Sequence, residues 1–140
     1  MQMLMGQHKC AMDAKGRLNF PARLREELGE QFVITKGMDN SLIAFTMQGW
    51  EAFSARFEEK SMAEKRKLER VFFGAAVLAS PDKQGRILLP GNLREYARLE
   101  KDVVVSGVRD RVEIWNAEDW AVAEAMDNES MEAAMLETRI

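Results

Sequence analysis

The sequence predicts an α+β fold built from two copies of one small β unit, each flanked by short helices. Three observations carry this. First, residues 13–25, running Asp13-Ala14-Lys15-Gly16-Arg17-Leu18-Asn19-Phe20-Pro21-Ala22-Arg23-Leu24-Arg25, recur 69 residues on as Asp82-Lys83-Gln84-Gly85-Arg86-Ile87-Leu88-Leu89-Pro90-Gly91-Asn92-Leu93-Arg94. Internal repetition at this spacing means a duplicated structural unit. Second, the residues after each glycine alternate polar and apolar, as in Arg17-Leu18-Asn19-Phe20, which is the period of a half-buried strand. Third, each copy then turns helical at a proline, Pro21 or Pro90, a residue suited to the first helical position.

Taken in order, Gln7-His8-Lys9-Cys10-Ala11-Met12 reads as a first strand. Asp13 to Gly16 reads as a hairpin turn. Aspartate can accept hydrogen bonds from its own downstream backbone, and glycine supplies a positive φ. Arg17 to Phe20 reads as the returning strand. The following helix carries Leu24 and Leu28 four apart on one face and stops at Gly29. Gln31 to Thr35 and Leu42 to Phe45 read as strands joined by a turn at residues 37–41. A short helix follows around Trp50 to Phe57. Ser61 and Glu64 have the spacing of a capping box and open a long amphipathic helix, and apolar residues 72–79 lead into the second copy.

That copy repeats the order: strand, turn at Asp82 to Gly85, strand, helix from Pro90. Val103-Val104-Val105-Ser106 then corresponds to Phe32 to Thr35, Val112-Glu113-Ile114-Trp115 to Leu42 to Phe45, and Trp120 to Trp50. Residues 128–140 are rich in acids and read as a short helix or frayed tail. The chain thus divides into a first repeat at 1–60, a connecting helix and apolar segment at 61–79, a second repeat at 80–127 and an acidic tail at 128–140.

A chain of 140 residues with 46 % hydrophobic residues fits one compact domain. No apolar run approaches the roughly 20 residues of a membrane span. The start, Met1 to Gly6, lacks the basic flank and long apolar core of a signal peptide, so a cytoplasmic protein is expected. A single cysteine, Cys10, excludes an intrachain disulfide framework. The net charge of −3 argues mildly against a nucleic-acid partner. Charge placement matters as much as the sum, however, and the two repeats gather basic residues while the acids crowd elsewhere.

Candidate chemistry is sparse. His8 and Cys10 share one side of a strand but lack the further ligands of a zinc site and an orienting third group for nucleophilic catalysis. Asp13 and Asp82 precede turns and read as turn-forming rather than as paired acid–base groups. No Gly-x-x-x-x-Gly-Lys phosphate loop occurs, and no metal or cofactor is indicated. The basic turns are the better candidates. Lys15, Arg17, Lys83 and Arg86 stand at hairpin tips kept slim by Gly16 and Gly85. A two-stranded ribbon fits the major groove of DNA, where arginine bonds guanine or phosphate bidentately. On pattern alone, a groove-reading tip and a merely soluble charged turn stand level. Arg23, Arg25, Arg94 and Arg98 lie beside acids and read as helix-face ion pairs. Trp50, Trp115 and Trp120 read as core.

The two motifs, each Asp-x-x-Gly-Arg-aliphatic-x-x-Pro, together with Val103 to Gly107 and Val112 to Trp115, resemble the MraZ family from roughly Gly6 to Trp120. The resemblance implies a non-enzymatic bacterial transcription regulator of the AbrB/MazE-like superfamily. It implies two tandem swapped-hairpin AbrB-like β units forming a pseudo-dimeric β-barrel. It also implies homo-oligomeric rings, associated with the nucleoid, that bind double-stranded DNA at tandem direct repeats upstream of the division and cell-wall gene cluster. Position by position it assigns DNA contact to Lys15 and Arg17. In the second repeat Arg86 matches Arg17, but Gln84 stands at the place of Lys15, and Lys83 supplies charge from the neighbouring position. Asp13, Gly16, Asp82 and Gly85 shape the turns. Presenting many weak tips in a ring reconciles an acidic chain with DNA binding through avidity. The rival readings are a MazE-like antitoxin whose acidic tail wraps a toxin, and an enzyme on a related scaffold.

Overall fold

The computed structural model describes residues 3–138, so the two residues at each end, including the first two of the Met1 to Gly6 start, lie outside it. The element order is β1 (Leu4–Ala11), β2 (Arg17–Asn19), α1 (Ala22–Leu28), β3 (Phe32–Lys36), β4 (Leu42–Thr46), α2 (Met47–Ala55), α3 (Met62–Ala75), β5 (Val77–Ala79), β6 (Arg86–Leu88), α4 (Gly91–Tyr96), β7 (Asp102–Arg109), β8 (Val112–Asn116) and α5 (Ala117–Thr138). Short 3-10 turns fill Met38–Asn40 and Arg56–Glu59.

The α+β class holds, and the strand pairing makes the duplication physical. Six strands form an antiparallel sheet in the order β1-β7-β8-β4-β3-β5, and β2 pairs with β6 in a separate two-stranded ribbon. Three of these ladders join the two repeats, and a fourth joins the first repeat to the end of the connecting segment. β1 lies on β7, β5 lies on β3, and β4 meets β8 with Ile43 opposite Glu113. In the ribbon Leu18 lies opposite Ile87, its counterpart in the other repeat. The hydrogen-bonded ladder of the large sheet is open among the described residues, with β1 and β5 at its edges.

This corrects the expectation that β2 returns along β1. The turn forms, but the backbone pairing across it stops at a Met12–Leu18 bridge and an Asp13 N–H to Arg17 O bond of 3.0 Å. Beyond them β2 leaves for β6. The reason is burial: pairing with β6 puts Leu18 and Ile87, both 0 % exposed, against one core together with Phe20 and Leu89.

The large sheet is apolar on both faces. Phe32, Ile34, Leu42, Ala44, Val103, Val105, Val112 and Ile114 face the main core, which the ribbon, α1 and α4 close with Leu18, Ile87, Leu24 and Leu93. Val33, Ile43 and Phe45 face the other way, onto Trp50 of α2, with Phe53 and Phe72 against them. Trp50 sits 6.1 Å from Phe45, and its counterpart Trp120 sits 5.7 Å from Trp115. Trp50 and Trp115 are buried as expected. Trp120 is only half-buried, because its indole N–H reaches out to Gln7 Oε1 at 3.1 Å.

The helix caps follow the sequence. Ser61 Oγ accepts the Glu64 N–H at 3.2 Å, and Thr46 Oγ1 accepts the Gly49 N–H at 2.8 Å, each satisfying a free donor of the first turn. α2 begins at Met47, earlier than expected, because Thr46 caps it there. The acidic segment is no separate tail over the described residues: α5 continues unbroken from Ala117 to Thr138. None of its residues is buried, and Val122, Met126, Met131, Met135 and Leu136 are exposed. No described helix is long and apolar enough to cross a membrane.

Candidate nucleic-acid interface

The site is built from the two repeated turns and the ribbon between them. In the first turn the Gly16 N–H donates to Asp13 O at 3.0 Å, and Gly16 has φ 86. The Asp13 carboxylate organises the rest. Its Oδ1 accepts the backbone N–H of Lys15 at 3.0 Å and of Arg17 at 2.9 Å, and its Oδ2 accepts Arg17 Nε at 2.7 Å. The second turn repeats this with Asp82, Gln84 and Arg86, at 2.9, 2.9 and 3.0 Å, and Gly85 has φ 78. Backbone N–H donors, that of the following arginine foremost, hold both carboxyls below the usual carboxylate range.

The two arginines are therefore not free cations at a tip. Each is half-buried, and its Nε is committed to its own aspartate. What remains for a ligand is the outer edge of the guanidinium. Lys15 and Lys83 are different: both are exposed at the turn apex, with no ion pair among the described residues.

Each turn also receives an arginine from the other repeat. Arg94, at the end of the second Pro-x-x-Leu-Arg segment, donates from Nε to Leu89 O at 3.0 Å and lies across Gly16. A Cβ on Gly16 would sit 2.7 Å from Arg94 Nε and 3.0 Å from Leu89 O. Symmetrically, Arg25 Nη1 occupies the space that a Cβ on Gly85 would need. Glycine is required at both positions by its φ and by this close approach. This corrects the expectation of helix-face ion pairs. No ion pair along α1 or α4 involves Arg25 or Arg94 among the described residues, since their helices aim them at the neighbouring turn. Arg98 does form an ion pair, but across to Asp119 of α5 at 3.0 Å. The signal for Arg25 and Arg94 was present in the sequence: both copies end in Leu-Arg.

The ribbon fixes where the turns lie. Leu89 N–H donates to Gly16 O, and Phe20 N–H donates to Gly85 O, so the turns sit at opposite ends of the β2–β6 pair. From Gly16 to Phe20, the residue bonded to Gly85, the chain takes four residue steps, roughly 13 Å at the rise of a β-strand. That span is comparable to the roughly 12 Å width of a DNA major groove. Around the ribbon ends stand Lys15, Arg17, Lys83 and Arg86 of the turns and Arg25 and Arg94 crossing from the helices, beside the two carboxylates that shape the turns. Glu26 and Glu30 border Arg25, and Glu100 borders Arg94.

His8 and Cys10 do not join this surface. They lie on β1, paired with Val105 and Val103, beside a cavity bordered by Trp120 and Glu124. Burial pushes the Cys10 thiol up to about 11, so it is protonated near neutrality and is a poor nucleophile. No group of three or more His, Cys, Asp or Glu that could hold a metal occurs among the described residues.

Fold and site together define a duplicated α+β chain whose halves pair strand to strand and share a ribbon with a repeated Asp-x-x-Gly-Arg turn at each end. The family model described as "MraZ protein, putative antitoxin-like" matches this chain twice, over residues 3–71 and 72–139. Among curated relatives, a protein named transcriptional regulator MraZ from Moorella thermoacetica is 53 % identical over 84 % of each chain. One of the same name from Thermoanaerobacter sp. is 50 % identical over 84 % of each chain. A third, from Caldicellulosiruptor saccharolyticus, is 43 % identical over 93 % of this chain and 92 % of the relative. The chain belongs to the MraZ family.

Proposed function

We propose that this chain is a non-enzymatic, sequence-specific regulator of transcription that binds double-stranded DNA through the β2–β6 ribbon and its two turns. The observation that carries this is a groove-sized ribbon whose repeated turns bring Lys15, Arg17, Lys83 and Arg86 to its two ends, with Arg25 and Arg94 crossing onto those turns, in a chain of net charge −3. The relatives named transcriptional regulators support it. Lys15 and Lys83 would meet phosphates as point charges. Arg17 and Arg86, oriented by their aspartates, would present the outer guanidinium edge to bases or phosphate, with Arg25 and Arg94 beside them.

In the fuller form of this reading the two units, at 1–60 and 80–127, form a swapped-hairpin AbrB-like pseudo-dimer. Residues 61–79 connect them and 128–140 are the acidic extension. Copies assemble into a ring on the nucleoid and engage tandem direct repeats upstream of the division and cell-wall gene cluster. One ribbon neutralises few phosphates, so affinity would come from several engaged at once.

The test is a gel shift with a duplex carrying several direct repeats, compared with a single repeat. Lys15→Ala is the cleanest variant, because Lys15 holds nothing in the fold together, whereas Arg17→Ala also opens its turn. Weaker binding by Lys15→Ala at unchanged stability supports the assignment, and undiminished binding by Lys15→Ala and Lys83→Ala together removes it. The words "antitoxin-like" in the family description favour a second reading, a partner-binding antitoxin. Co-purification of a small basic protein with α5, lost on truncating that helix, would support it.

A further inference from the structure

We infer that Asn19 and Leu88 are the residues that make this ribbon read a directional sequence, an inference that rests on the DNA-binding reading. In the β2–β6 pair, Leu18 and Ile87 point inward and are fully buried, so Arg17, Asn19, Arg86 and Leu88 form the outer face. The cross-strand pairs are Arg17 with Leu88 and Asn19 with Arg86. Arg17 and Arg86 are counterparts in the two repeats, and so are Asn19 and Leu88. The frame is therefore two-fold symmetric in its arginines, aspartates and glycines. It is broken at the turn apices, where Ala14 and Lys15 correspond to Lys83 and Gln84, and on the outer face of the strands at one position, Asn19 against Leu88.

The break is between two chemistries that read bases differently. An asparagine amide can donate and accept at once and matches the N6 and N7 edge of adenine. A leucine offers only an apolar surface, which suits the C5-methyl of thymine. Leu88 is 64 % exposed on a strand whose inner neighbours, Ile87 and Leu89, are 0 % exposed, so packing within the chain does not account for it. Asn19 is exposed, and its side chain makes no hydrogen bond among the described residues. A symmetric face would favour a palindromic site and could lie on DNA in either direction. The Asn19/Leu88 pair gives the face a direction, which is what a run of direct rather than inverted repeats demands.

The experiment is selection of duplex DNA from a randomised pool by the full chain, wild type against Asn19→Leu and Leu88→Asn, followed by competition with single-base changes. The wild type is expected to recover a non-palindromic motif. Asn19→Leu should lose its preference at one base position, with discrimination falling from roughly 5- to 150-fold to near unity there. Its motif should become more symmetric. Leu88→Asn should symmetrise the motif in the opposite sense, gaining adenine preference at the related position. Thermal melts should match wild type because both side chains face solvent, and Asn19→Ala serves as a second variant should Asn19→Leu melt early. If both variants select the wild-type motif with discrimination intact, the inference fails while DNA binding stands. It fails in the same way if Leu88→Asn changes only the assembly state. If the wild type retains no duplex at all, the DNA-binding reading fails and this inference with it.

Discussion

Replacing Gly16 by alanine tests whether the crossed arginine and the turn form one unit. At φ 86 an L-residue costs about 1–2 kcal/mol in left-handed strain. The new methyl would also stand 2.7 Å from Arg94 Nε and 3.0 Å from the Leu89 carbonyl. Arg94 must swing away and lose its bond to Leu89 O, worth about 0.5–1.5 kcal/mol. The carbonyl is ribbon backbone and gives less readily. Together these effects destabilise by about 2–4 kcal/mol, or roughly 3–5 °C in Tm per kcal/mol for a chain of this size. Gly85→Ala meets only the flexible Arg25 side chain, so its loss should stay near the left-handed strain alone, about 1–2 kcal/mol. Gly74→Ala is the control. It lies in α3 with nothing near its Cβ, and should stabilise by about 0.5–1 kcal/mol. Thermal and urea melts followed by circular dichroism give all three values. A Gly16→Ala protein that melts with wild type, or one less affected than Gly85→Ala, refutes the packing of Arg94 over the turn.

Three further outcomes are expected. Leu18→Ala and Ile87→Ala should each destabilise by about 2–5 kcal/mol, since both are fully buried. The double variant should lose measurably less than the two losses combined, because the residues are direct cross-strand partners, and additive urea-melt values would deny that contact. The folded chain binds protons on Asp13 and Asp82 less readily than the unfolded chain does, so their stabilisation is present above the ordinary value of 3.8 and is lost as pH falls through the lower folded values. Asp13→Asn with Asp82→Asn should therefore flatten the fall of Tm below about pH 4, and an unchanged acid limb would contradict it. Cys10 should alkylate slowly: a rise from 9.0 to about 11 leaves about 100-fold less thiolate near neutrality, and modification at the rate of a free thiol would show the site to be open.

Much of this architecture is legible in the sequence, and the parts that are not share a cause. The Asp-x-x-Gly spacing locates both turns because aspartate and glycine each do something at a turn that few residues can. The alternation at Arg17 to Phe20 identifies the buried face correctly, with Leu18 and Phe20 inward. It cannot identify the partner strand, because a period of two reports which side is apolar and not what lies alongside. Hence β2 is expected along β1 and pairs instead with β6. Arg25 and Arg94 are marked by their recurrence as Leu-Arg, but where they reach is not legible, for a related reason. Helical spacing reports neighbours along the helix, whereas these side chains are used across the repeat boundary. Trp120 matches Trp50 in register yet is less buried, since α5 lacks the Phe72 and Phe73 that α3 supplies around α2.

The central claim is that the ribbon is an electrostatic reading surface, and its most direct measure is the salt dependence of DNA affinity. The observed association constant of the full chain for a multi-repeat duplex should fall linearly against salt on logarithmic axes, with a slope of about −0.9 for each phosphate contacted. Lys15→Ala and Lys83→Ala should each make that slope shallower without moving Tm. A slope near zero, or a slope the lysine variants leave unchanged, would contradict the account.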